Sequence, residues 1–136
     1  MYSRRSVLRG SAVLLGGGFA GCAINRDQSP DGRVAWVSLT NDSDEPREVR
    51  VTVTEDGSTE FFETYRLGTD QEAANAYVEN PVSGPGQYTV RATTTDQIAS
   101  VSIPERVDGD ERCVGVDFLI ATDGTLYWDS KSMQEC

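Results

Sequence analysis

Histidine is absent from this chain of 136 residues. That excludes a Ser-His-Asp hydrolase triad and every metal centre that depends on imidazole. Lysine is nearly absent too: eleven of the 12 basic residues are arginine, leaving Lys131 alone against 22 Asp and Glu and a net charge of −10. With no basic patch to meet a phosphate backbone, the composition argues against nucleic-acid binding. The chain also lacks a long apolar run. Its most apolar stretch, Ser11 to Ala20, is too short for a bilayer span, which needs about 20 apolar residues.

That short stretch has flanks of its own. Ser3-Arg4-Arg5-Ser6-Val7-Leu8-Arg9 supplies a positive segment ahead of it, the order of a secretory signal. The pair Arg4 and Arg5 in S-R-R-S-V-L-R resembles the twin-arginine export signal, which passes proteins already folded in the cytoplasm. Phe19-Ala20-Gly21-Cys22 resembles the lipobox of bacterial and archaeal lipoproteins, with Phe19 standing where leucine is usual. The resemblance implies a signal peptide over 1–21, cleavage before Cys22, and a thioether-linked lipid on that cysteine. A two-chain lipid holds far more firmly than a single acyl group, so the expected location is the outer face of the cell membrane.

All 22 acidic residues lie after Cys22, with nine basic ones, so residues 22–136 carry a net charge of −13. Carboxylates hold water and hydrated cations, and concentrated salt shrinks their repulsion to a few ångströms. Together with the export signal this resembles the secreted proteins of halophilic archaea. Small lipidated β-domains of that group include blue-copper proteins, but their site needs two histidines. The chain cannot build it, and no cofactor or metal is expected.

Residues 22–32 read as a lipidated flexible tether, since Ala23 to Gly32 is polar and rich in turn formers. From 33 to 136 the chain breaks into short alternating segments separated by turn signals every 8 to 12 residues. Val49, Val51 and Val53 alternate with Arg50, Thr52 and Thr54, and Asp56-Gly57 sets a hairpin into Thr59 to Leu67. Gly68 to Glu79 reads as a loop or helical turn leading into a short strand at Ala76. Gln87 to Thr95, Ile98 to Ile103, Cys113 to Ala121 and Thr125 to Asp129 supply further strands, the last two turning at Asp123-Gly124. Seven or eight strands without a helix fit an all-β antiparallel sandwich, resembling immunoglobulin-like and fibronectin-type domains in general. A transthyretin-like or carboxypeptidase-regulatory sandwich fits the same periodicity.

With Cys22 assigned to lipid, Cys113 and Cys136 remain. A hairpin centred on Asp123-Gly124 sets residue 113 opposite 134, close enough to Cys136 for a disulfide in an oxidising compartment. Asn41-Asp42-Ser43 matches the N-glycosylation acceptor pattern, in a turn expected to be exposed. The acidic runs Asp42 to Glu45 and Asp108 to Glu111 lack a recognised calcium spacing and read as solvated clusters. Trp36, in mid-strand, reads as core, and Asp117 as solvent-facing. Trp36 and Trp128 both invite a reading as sugar-stacking aromatics; core packing is favoured for Trp36, and Trp128, which points to the opposite face from its neighbour Tyr127, stays open. The expectation is therefore a non-catalytic module that binds a surface protein or glycan or serves as an accessory to a surface complex. The alternatives are an envelope spacer without a ligand and a hydrolase built on paired carboxylates.

Overall fold

The computed structural model describes residues 30–136, so Arg4, Arg5 and Cys22 lie outside the described residues. Eight strands follow in order: β1 Arg33–Asn41, β2 Arg47–Glu55, β3 Ser58–Leu67, β4 Asn75–Glu79, β5 Tyr88–Thr93, β6 Ile98–Ser102, β7 Cys113–Ile120 and β8 Leu126–Met133. They form two four-stranded sheets, ordered β4-β1-β7-β8 and β3-β2-β5-β6. All pairings are antiparallel except β1 with β7. Among the described residues the only helical element is a short 3₁₀ turn, Ile103–Glu105.

The period-two pattern explains the layering, because alternate side chains of a strand take opposite faces. Val49, Val51 and Val53 of β2 meet Val90, Ala92 and Val101 in one inner face, and Val34, Val37, Leu39, Val114, Val116, Phe118 and Ile120 supply the other. Most of these side chains are no more than 3 % exposed. Each buried Val or Leu stabilises the fold by about 1.5–3 kcal/mol relative to exposure. Asp56 (φ 50°) and Gly57 (φ 82°) make the β2–β3 hairpin, the positive-φ pair that a two-residue turn needs.

Three local departures matter for function. In β1 the ladder to β7 shifts between Val34 and Trp36. Ala35 is the extra residue of a bulge, and the two-residue count restarts beyond it. At the last hairpin, β8 continues to Met133, and Cys113 pairs with Met133 rather than with residue 134. The ambiguous segment before β4 is a single turn: the Ala74 amide donates to Asp70 O at 2.9 Å, and the Ala73 amide to Asp70 Oδ1 at 2.9 Å.

Candidate functional site

The bulge decides what the outer face of the β4-β1-β7-β8 sheet presents. With Val37 and Leu39 buried in the core, Trp36 and Ser38 stand on the outer side. Trp36, read from the sequence as core, is therefore a surface-layer residue. Strand pairing sets three rows across this face. One runs Tyr77, Ser38, Asp117, Asp129; a second Glu79, Trp36, Gly115, Lys131; a third Asn75, Thr40, Leu119, Tyr127.

Trp36 lies flat on the sheet because its neighbour on β7 is glycine. A Cβ at Gly115 would come within 2.6 Å of Trp36 Cδ2 and closer still to two other ring atoms. The indole Nε1–H donates to Asp117 Oδ1 at 3.1 Å, and the Ser38 hydroxyl donates to the same oxygen at 2.5 Å. Among the described residues both bonds fall on Oδ1, which leaves Oδ2 able to accept from a ligand. On the other side the Tyr77 ring stacks on Trp36, centroids 6.3 Å apart and planes 29° apart. Tyr77 is 58 % exposed, although a tyrosine ring offers a large apolar area to bury. The face thus combines a pinned indole, an exposed phenol ring stacked beside it, and the carboxylates of Glu79, Asp117 and Asp129. Such a set can stack on the apolar side of a pyranose while accepting hydrogen bonds from its hydroxyls.

The remaining sequence-derived sites fall elsewhere. Cys113 and Cys136 form a disulfide with Cα atoms 5.4 Å apart, and it borders an open cleft of about 580 Å³ beside Arg33 and Arg112. Asp31 and Glu135 share that cleft, so its charges are mixed and it selects no ligand sign. Asn41 corrects the reading of an exposed glycan acceptor. It is 3 % exposed, and its Nδ2 donates to Glu45 O at 2.9 Å and to Gly68 O at 3.0 Å. Its Oδ1 accepts from the Ser43 amide at 3.1 Å and the Ser43 hydroxyl at 2.6 Å. The amide thus organises the β1–β2 turn, with both hydrogens of its nitrogen committed.

Asp117 is half-buried rather than free in solvent. Trp128 stands on the edge strand β8 opposite Phe118, with the Arg106 guanidinium 5.5 Å over its ring, a cation–π contact. Asp108 and Glu111 close a tight turn on each other's backbone at 3.1 and 2.8 Å. Among the described residues no three Cys, Asp or Glu side chains are placed to hold a metal. The sequence reading missed Gly115, Ser38 and Tyr77 as site residues. A glycine inside the apolar run Val114 to Ile120 was the available signal, since a strand glycine often marks a close approach.

A family model described as a halobacterial Ig-like domain matches residues 45–125. No curated protein and no solved structure matches the chain.

Proposed function

We propose that this chain, which belongs to the halobacterial Ig-like domain family, works as a non-catalytic binding module held outside the cell by a lipid at Cys22, with the outer face of β4-β1-β7-β8 as its ligand surface. The ligand class that suits this face is carbohydrate. What supports the reading is one arrangement: Trp36 pinned flat by Gly115 and Asp117, with Tyr77 stacked beside it and exposed. Preorganised rings cost little conformational entropy on binding. Carboxylates beside them give direction to sugar hydroxyls. A chain without histidine has no imidazole base, and a flat sheet face offers no enclosed cleft for chemistry. The negative coat keeps such a module solvated in concentrated salt.

Titration of the full chain with cell-surface polysaccharide, followed by tryptophan emission, tests the binding face. Quenching that is lost in Tyr77→Ala and in Asp117→Asn supports it, and no response in the unmodified chain sinks it. Lipid-aware mass spectrometry of the membrane fraction tests the anchor separately. A Cys22 peptide without lipid, or a protein recovered in the cytosol with Met1 attached, would remove that part.

A further inference from the structure

The second sheet ends on β3, with no strand on its far side among the described residues. From Phe61 to Leu67 this strand pairs with β2 in constant register, Val53 opposite Phe61 through Arg47 opposite Leu67. The register then shifts, Thr54 facing Thr59, so that Glu60 is left over as a bulge. Seven residues of regular edge therefore present alternate backbone N–H and C=O groups outward. Natural edges are shielded by shortness, proline, charged side chains or bulges; this segment holds neither proline nor lysine, its bulge lies outside it at Glu60, and its two charges, Glu63 and Arg66, are of opposite sign. Phe62 on it is 55 % exposed.

We propose that the Phe61–Leu67 edge pairs with the same edge of a second copy, antiparallel about a two-fold axis at Thr64, joining two four-stranded sheets into one of eight strands. Directly opposed residues of an antiparallel pair share a face. A two-fold axis normal to the sheet is therefore centred on a residue. Thr64 is the midpoint of the regular segment, and centring there sets Phe61 against the second copy's Leu67, Phe62 against Arg66, Glu63 against Tyr65, and Thr64 against Thr64. Each opposition is complementary: apolar with apolar, ring with guanidinium, carboxylate with hydroxyl, and two β-branched side chains at the axis. Arg66 already makes an exposed ion pair with Glu48 at 3.7 Å, a contact weak enough to yield.

The neighbouring registers are worse. An axis at Tyr65 sets the Glu63 carboxylate against Leu67. An axis at Glu63 puts two carboxylates face to face and draws the bulged Glu60 into the ladder. An axis at Phe62 sets Phe61 against Glu63. Charge adds a condition, since two chains of net −10 repel until salt shortens the screening length to about 3 Å at 1 M. Pairing therefore grows with salt. β3 runs in the same direction as β1, both ending where Asn41 meets Gly68. The axis thus sends the Arg33 ends of the two copies to opposite poles, a geometry suited to chains presented by facing surfaces.

The test uses the full chain carrying Phe62→Cys, Glu63→Cys or Thr64→Cys, oxidised in molar salt beside the unmodified chain, which keeps its own three cysteines. Opposed Cα atoms lie about 4.5–5.5 Å apart, within disulfide reach. The expected result is a covalent dimer several-fold more complete for Thr64→Cys than for the other two, with the unmodified chain sedimenting at twice the monomer mass and dissociating at low salt. Cross-linking that is strongest at 62 or 63, equal at all three positions, or absent overturns the proposal. A monomeric mass for the unmodified chain at every salt concentration overturns it as well.

Discussion

The indole of Trp36 occupies the space that a side chain at position 115 would need. Gly115 costs the strand about 0.5–1 kcal/mol relative to alanine by conformational entropy, and the ring that covers it supplies the offsetting contact. Gly115→Ala should reverse the usual gain from such a substitution. Either the ring swings away and loses Asp117, or β1 and β7 spread, and overpacking of this kind costs about 1–3 kcal/mol. In a Trp36→Ala background the same substitution should be neutral or stabilising. Denaturant midpoints for the four proteins of this cycle measure the coupling, and additive effects would show that the ring does not sit on residue 115.

Asn41 is a buried support of the β1–β2 turn. Asn41→Ala removes four hydrogen bonds and leaves the carbonyls of Glu45 and Gly68 without those partners. A cost of about 1–3 kcal/mol is expected for polar groups so stranded. Asn41→Asp should cost at least as much at neutral pH, since a carboxylate cannot donate to either carbonyl. Chemical denaturation at constant salt reads both, and mass analysis of the peptide holding residue 41 should find it unglycosylated.

The class of fold was legible because β2, β5 and β7 are half or wholly buried strands whose apolar residues repeat at period two. Hairpin turns were legible where Asp-Gly supplies positive φ, as at Asp56-Gly57 and Asp123-Gly124. The parallel pairing of β1 with β7 was not, because no local pattern records which strand lies beside which. The outer face was hidden by a single residue. The bulge at Ala35 shifts the phase of β1, so Trp36 leaves the core that strict alternation and fold analogy assign it. Asn41 was misread for a related reason: a turn motif tells what a side chain can do with its own backbone, not whether Gly68, 27 residues away, will bury it.

The Cys113–Cys136 bridge spans 23 residues, which on the chain-entropy account contributes roughly 3 kcal/mol. Cys136→Ser should lower the melting temperature while leaving the sheets intact. The remaining Cys113 thiol, 2 % exposed, should react with an alkylating reagent only as fast as β7 opens. Rapid alkylation in that variant under native conditions would show that the β7–β8 base depends on the bridge for its structure as well as its stability.

Tyr88 sets the limit of stability in base. Its hydroxyl donates to Ser83 O at 3.0 Å and Gly84 O at 3.1 Å, which only the protonated form can do. Burial pushes its pKa above the usual tyrosine value, and the Glu55 and Glu60 carboxylates push it further against the opposing charge of Arg33. An unfolded tyrosine titrates near 10. The contribution is therefore fully present below about pH 10 and is lost as the pH rises from there through the folded value, because over that range the unfolded chain binds fewer protons than the native one. Tyr65, raised by burial and by Glu63, adds a contribution of the same sign. Urea midpoints measured between about pH 8 and 11.5 should fall on the basic side. In Tyr88→Phe the midpoint should start lower, by the loss of the one hydroxyl proton shared between the two carbonyls, worth about 1 kcal/mol, and then decline less steeply. A Tyr88→Phe profile parallel to that of the unmodified chain would place the basic limb on other groups.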